Sequence, residues 1–488
     1  MVTRRDLLAL LPATAASLAL AGCAGLATAP ARTAPRVGGS LPSDEALLAD
    51  LEQRTFRYFW QTANPVNGLS PDRWPGTAPM ASVASVGFAL TAYVAGVDRG
   101  FVSRTEARDR VLATVRFFAD APQGPQAAGM TGHHGFFYHF LHMQTGARFN
   151  ANVELSTIDT ALLLGGMLCA QAYFDGEDAA EAEIRRRVDQ IYGRVDWPWA
   201  QRRPGFICMG WTPESGFERF IDYTGYDEAM LLLLLAMGSP THPADDTTWT
   251  AFTRTYSRSW GGFLGYEHLG GSPLFFHQYS HVWVDFRGIQ DDYMRRRGLD
   301  YFENSRRATL SQRAYATLNP GGWKDYDQNV WGLTACDGPG MLKLPDHSGR
   351  MRQFFDYRAR GAGLQETVDD GTVAPTAALS SLPFAPEVVV PALRELRRRF
   401  GDTIYGRYGF LDAFNTSFTA ANAPIGNGQV IPGFGWVDTD YLGIDQGPIV
   451  TMIANHRNGL IWQTMRKNPH LRRGLERAGF RGAWLAGA

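Results

Sequence analysis

Cysteine is scarce, with four in 488 residues. Cys169, Cys208 and Cys336 stand far apart without a CxxC pair, which on spacing argues against a zinc site. Being odd in number, they leave at least one free thiol, and Cys169 inside an apolar helix reads as a buried, inert one. An excess of basic charge is missing too: 47 Lys and Arg meet 48 Asp and Glu, for a net charge of -1. A chain without a basic stripe does not track a phosphate backbone, so nucleic acid is not expected as a partner. Few segments alternate as strands do, and no fixed period recurs, which argues against a helical solenoid.

The first 23 residues, "MVTRRDLLALLPATAASLALAGC", form the one long apolar run outside the helices. The stretch between Arg5 and Cys23 is broken by Pro12 and too short for a membrane span, and an Arg pair precedes it, which is the layout of an export signal. "LAGC" resembles a lipoprotein lipobox and "TRRDLL" a twin-arginine signal, implying export and a lipid on Cys23. The expected organisation is an export signal over 1–23, a flexible linker over 24–42 and one domain over 43–488, periplasmic and touching a membrane only through that lipid.

What the chain does have is aromatic side chains, 12% of residues with 13 Trp and 18 Tyr, suited to a groove that stacks sugar rings. It also has about a dozen helical periodicities. They alternate between helices rich in Ala, Gly and Leu on all sides and helices with Arg and Glu along one face. The first kind must be covered all round and the second can meet water, which predicts an all-α fold of two concentric rings of six helices. Long linkers rich in Gly, Trp, Tyr and Asp are expected to build a cleft at one end.

Two apolar helices open on acids. "GYDEAMLLLLLAM" places Glu228 beside Tyr223 and Tyr226 before five leucines, and "LSTIDTALLLGG" places Asp159 before another apolar run. Either acid suits a helix cap, but Asp227 already offers a cap-type side chain, which leaves Glu228 for chemistry. Two acids near the same end of neighbouring helices are what cleavage of an acetal needs: one protonates the leaving oxygen and another assists water or attacks. Asp412 in "YGFLDAFN" is a third candidate, an acid among aromatics. The loop "HQYSHVWVDFRG" offers His277, His281, Asp285 and Arg287. Arg287 would repel a cation, so no metal is expected there, and a salt-bridged shelf touching sugar hydroxyls fits better. Trp211, Glu214, Tyr226, Asp369, Asp370, Trp436, Asp445 and Gln446 are further candidates for holding sugar, although "DDGT" is also an ordinary turn and Asp445 an ordinary helix start.

Seven blocks in order, among them "ELSTIDTALLLGG", "GYDEAMLLLLLAMGSPTHP", "YFENSRRATLSQRAYA", "DDGTVAPTAALSSLPFAPE" and "LGIDQGPIVTMIANHRNGLIW", resemble the bacterial glucoamylase-like domain family over nearly the whole mature chain. The resemblance implies an (α/α)6 barrel and enzymes of β-1,2-glucan, with no cofactor. It makes Glu228 the proton donor, with Asp412 or Asp159 steering the nucleophile, whereas similar endo-acting proteins often carry Glu at position 159 and Asp at position 156. Hydrolysis of β-1,2-glucan is the expected activity. A transglycosylase using the same site and an inactive lipid-anchored glucan-binding protein are the alternatives.

Overall fold

The structure, a computed structural model, describes residues 41–486. The expected export signal with Cys23, and all but the last two residues of the linker, lie outside the described residues.

Local signals place most helix starts. Ser43 accepts from Ala46 N and opens α1 (Asp44–Thr62), and Ser82 accepts from Ser85 N at the head of α2 (Val83–Asp98). Ser103 and Glu106 form a reciprocal capping box at α3 (Arg104–Asp120). Ser156 caps α4 (Thr157–Tyr173), and Asp178 caps α5 (Ala179–Gly193). The leucine run forms α6 (Met230–Gly238). The later long helices are α7 (Tyr301–Leu318), α8 (Pro386–Ile404), α9 (Gly443–Asn458), α10 (Leu460–Arg466) and α11 (Pro469–Arg477).

Three stretches of continuous helical periodicity are broken. Residues 246–260 divide into Thr248–Thr253 and Tyr256–Ser259. Residues 282–298 hold only the end of Tyr279–Trp283 and a separate Asp292–Arg297, because Gly288 turns at φ 70° and Asp291 begins a new cap on Met294 N. Gly459, left-handed at φ 70°, separates α9 from α10.

The expected contrast between helices is present and has a packing cause. In α2 every residue from Val83 to Gly96 is buried, α6 is buried throughout, and α4 and α9 are nearly so, whereas α1, α3, α5, α7 and α8 bury one face. α2 and α4 touch backbone to backbone. A Cβ on Gly87 would lie 2.2 Å from Leu162 O, and one on Gly166 would lie 2.0 Å from Gly87 O. The same device joins α6 to α11, where a Cβ on Gly474 would lie 2.0 Å from Leu234 O. The fold is therefore mostly helical, with apolar helices wedged together at small residues. Among the described residues no helix is long and apolar enough to cross a membrane.

Short strands, not anticipated from the sequence, fix the N-terminal ends of the buried helices. Met80–Ser82 pairs with Phe140–His142 and runs into α2, while Tyr441–Leu442, paired with Arg73–Trp74, runs into α9. A four-stranded antiparallel sheet, in the order Gly132–His133, Phe136–Tyr138, Leu155–Ser156, Gly210–Trp211, runs into α4. Loops and helix starts are thus tied together at one end of the molecule.

Candidate active site

Glu228 lies in the turn two residues ahead of α6 rather than in its first turn, and is buried. Asp227 braces the turn before the helix, its Oδ1 accepting from Ala229 N at 2.9 Å. The backbone of Glu228 is fixed from another element: Ser280 Oγ donates to Glu228 O at 2.9 Å and accepts from Leu231 N at 2.9 Å.

Asp159, in the first turn of α4, is buried and engaged on both oxygens. Ser156 Oγ donates to Oδ2 at 2.5 Å, and His139 Nε2 lies 3.4 Å from Oδ1. Burial pushes its carboxyl above the usual range, while the His139 charge and the Ser156 hydroxyl pull it back.

Asp412 belongs to a dense acidic group. Its Oδ2 accepts from Asp337 N at 2.8 Å, and Asp445, in the first turn of α9, forms a carboxyl–carboxyl hydrogen bond with it. Neither Asp412 Oδ1 nor Asp445 Oδ2 has an N–H or hydroxyl donor among the described residues. Two buried acids in this arrangement hold a proton between them, because both cannot ionise cheaply side by side. Burial and the Asp445 and Asp337 charges raise Asp412 well above its ordinary value. Burial above all lifts Asp445 to about 7, against the pull of its hydrogen bond to Asp412. Asp438 is raised by burial and by Asp337 and Asp412. Arg73 gives the group its cation: its Nη1 is 2.7 Å from Asp337 Oδ2 and 3.5 Å from Asp440 Oδ2, and its Nε is 3.2 Å from Asp72 Oδ2.

Tyr279 links Asp159 with the Asp412–Asp445 pair. Its phenol is raised by burial first and then by Asp445, Tyr357, Asp412 and Asp159, and it is the chain neighbour of the Ser280 that holds Glu228. Its ring is 5.9 Å from that of Phe88 in α2. Asp159, Asp412 and Asp445 thus all act on one tyrosine, and the Glu228 backbone is held by the residue next to it, at the N-terminal ends of α4, α6 and α9.

The other expected sugar-binding residues divide. Trp211 is half-buried, pairs with Leu155 across the sheet that feeds α4, and lies 4.9 Å from the His133 ring. That cluster borders a hollow of about 410 Å³ lined by His133, His134, Arg194 and Asp196. Glu214 is exposed and paired through both oxygens with Arg148, at 2.8 and 3.0 Å, which holds it below the usual carboxylate range. Gln446 is buried beside Asp445, with Nε2 donating to Phe410 O at 2.9 Å and Oε1 lacking a donor among the described residues.

Tyr226 is core rather than platform: buried, its ring parallel to Tyr301 at 6.2 Å and its hydroxyl 3.1 Å from His277 Nδ1. Trp436 is fully buried, donating to Asn427 O at 2.7 Å, and offers no face to a sugar. Asp369 accepts from Trp323 Nε1, Tyr315 Oη and Tyr326 Oη at 2.7, 2.9 and 2.9 Å, and so ties aromatic side chains together. The neighbouring Asp370 forms a fully buried pair with Arg360.

His281, Asp285 and Arg287 lie in and after the short helix Tyr279–Trp283. Asn455 Nδ2 donates to Val282 O at 3.0 Å, which puts this loop beside the last turns of α9, about 15 Å along the helix from Asp445 at 1.5 Å per residue. There Asp285 pairs with Arg287 and Arg466, and His281, pushed down to about 3 by burial, contacts Ser305 Oγ at 3.0 Å. The shelf of Asp285, Arg287 and Arg466 is salt-bridged as expected but lies towards the far end of α9 from Asp445, while His281 follows directly on Ser280. Residues missed in the sequence are His139, Glu154, Arg73, Asp337, Asp438, Tyr279 and Ser280. Only Glu154, at the head of "ELSTID", carried a local sign, a second acid before an apolar helix.

Residues 221–469 match the family described as "Putative glucoamylase", a span that includes Glu228, Asp412 and Asp445. A protein of the same description from Bacteroides uniformis is 30% identical and superposes with a TM-score of 0.76 over 92% of this chain and 100% of its own. The chain belongs to this glucoamylase-like family. Within the family's fold neighbourhood, the endo-β-1,2-glucanase of Chitinophaga pinensis, solved with sophorotriose and glucose, is 27% identical with a TM-score of 0.76, covering 91% of this chain and 100% of that one. The exo β-1,2-glucooligosaccharide sophorohydrolase of Parabacteroides distasonis is 28% identical over 464 residues, 89% of this chain. This chain spans 58% of the length of that curated relative.

Proposed function

We propose that the chain is a glycoside hydrolase acting on β-1,2-glucan. The observation that carries this reading is the placing of Asp159 and the Asp412–Asp445 pair near Tyr279, with the backbone of Glu228 held by the adjacent Ser280, at one end of the buried helices. The similarity to β-1,2-glucanases supports the choice of substrate. Glu228 is assigned as proton donor to the leaving oxygen. Asp412, sharing its proton with Asp445, is assigned to activate the attacking water once the pair has lost that proton. Proton transfer and charge stabilisation at an acetal suffice for this reaction.

We further propose that the helices close into an (α/α)6 double ring. α2, α4, α6 and α9 would belong to the inner ring and α1, α3, α5, α7 and α8 to the outer, on the strength of their contrasting burial. Residues 43–488 are taken as one domain, with residues 1–23 as a lipoprotein export signal that would leave the enzyme lipid-anchored at Cys23 in the periplasm.

The test is incubation with linear β-1,2-glucan beside β-1,3- and β-1,4-linked controls, with products and their anomers read by proton NMR. Sophoro-oligosaccharides from the first substrate alone are the expected result, and no sugar from any of the three ends the reading. Counting reducing ends separates hydrolysis, which multiplies them, from transfer, which leaves their number constant.

A further inference from the structure

His139 lies between two acids. Its Nδ1 is 2.8 Å from Glu154 Oε1 and its Nε2 is 3.4 Å from Asp159 Oδ1. Its backbone is committed on both sides, with N donating to Glu154 O at 2.9 Å and O accepting from Val83 N at 3.1 Å, at the head of α2. The ring stacks on Phe140 at 3.8 Å with an interplanar angle of 16°. The imidazole is therefore fixed where α2 and α4 begin, and its orientation leaves little freedom.

A neutral imidazole donates through one nitrogen only, and its other nitrogen would face a carboxylate lone pair with a lone pair of its own. The imidazolium donates from both. The charged groups facing the ring are Glu154, Asp159 and, farther off, Asp72. Burial alone would drive the ring towards neutrality, yet the Asp159 and Glu154 charges, the Glu154 hydrogen bond and Asp72 together overcome it and hold the imidazolium up to about 9. On the far side of Asp159, Ser156 Oγ takes Oδ2 while accepting from Asp159 N at 3.2 Å. The result is a row, Glu154, His139, Asp159, Ser156, in which Asp159 has an ion-pair partner at one oxygen and a hydroxyl donor at the other.

We propose that His139 is a positioning residue of the candidate site: seated on Glu154 as an imidazolium, it keeps Asp159 ionised and in one orientation, as an acceptor for a glucosyl hydroxyl. Asp159 is then no proton donor, and Glu228 alone protonates the leaving oxygen. The inference rests on the β-1,2-glucan reading above. It assigns to Asp159 a binding role and to Glu154, three residues before α4, the task of keeping His139 charged.

The test uses the full chain in two measurements. The His139 ring is titrated by NMR in wild type, Glu154→Gln and Asp159→Asn, and kcat and KM on linear β-1,2-glucan are followed from about pH 5 to pH 10. Expected are a wild-type ring still protonated at pH 8, a ring that titrates at least one pH unit lower in Glu154→Gln, and a high-pH limb of kcat/KM that moves down with it. His139→Gln is expected to lower kcat/KM at least tenfold at pH 6 and to abolish that limb. A merely structural ion pair would lower activity at every pH and leave the limb in place. A ring that titrates below pH 7 in an active wild type, or a limb that Glu154→Gln does not move, overturns the inference and leaves the assignment of function standing. A folded wild type inert towards β-1,2-glucan removes both.

Discussion

Ser280 holds Glu228 from across the site, its single hydroxyl donating to Glu228 O and accepting from Leu231 N, each at 2.9 Å. The turn ahead of α6 has no side-chain cap at its N-cap residue, Ala229, so this contact from the Tyr279–Trp283 helix replaces one. Ser280→Ala would strand the Leu231 N–H in a fully buried position, at a cost of about 1–3 kcal/mol. The expected outcome is a lower urea midpoint together with a kcat that falls more than KM changes. An unaltered kcat would separate Ser280 from the chemistry.

Glu228→Gln keeps the shape of the side chain and removes the transferable proton. Turnover is expected to fall by about 10²–10⁴. Affinity for a sophoro-oligosaccharide, measured by calorimetry, should stay within a few-fold. A variant that still turns over at near wild-type rate would hand the role of donor to another acid.

The Asp412–Asp445 pair makes activity and stability oppose each other in pH. With Asp445 raised to about 7 and Asp412 raised well above its ordinary value, the folded protein binds more protons than the unfolded chain above the ordinary carboxylate pKa and up to the raised ones. Stability from this pair is therefore fully present below about pH 4 and declines as pH rises through about 7. The base function rises over the same interval. Asp445→Asn removes the like charge and leaves Asp412 easier to ionise. We expect the low-pH limb of kcat/KM to move down by at least one pH unit and the melting temperature at pH 8 to rise by about 1–3 °C. A limb that stays in place would show the two carboxyls to be independent.

Gly87→Ala tests the wedge between α2 and α4. The added Cβ would lie 2.2 Å from Leu162 O, with backbone rather than a yielding side chain in its way. Overpacking there should cost about 3 kcal/mol, and because Asp159 rides on α4 the same change should lower kcat. Urea unfolding beside activity measures both. Wild-type stability would mean that the two helices are not in contact at this point.

Fold and site were legible in the sequence to different depths. Helix starts at Ser43, Ser103 and Ser156 could be placed because a cap and its partner lie within four residues of each other. The division into buried and half-exposed helices was legible because it is written in each helix's own composition. The acids at the heads of the leucine helix and of α4 stood out for the same reason: a charge before an apolar run is a local anomaly.

Only tertiary structure decided which distant residues meet. Asp412 pairs with Asp445 across 33 positions of sequence, and Arg73 reaches Asp337 across 264. Nothing in "HHGFFYHF" announces that His139 will face Glu154 and Asp159, since that depends on short strands which bring three helix heads together. The same packing sent Asp285 and Arg287 to the other end, although "HQYSHVWVDFRG" reads like a site loop. Caps and periodicity are settled by contacts within one or two helical turns. The place of a side chain in a cleft is settled by how whole helices dock, and in this chain the docking depends on glycines whose neighbours the sequence does not name.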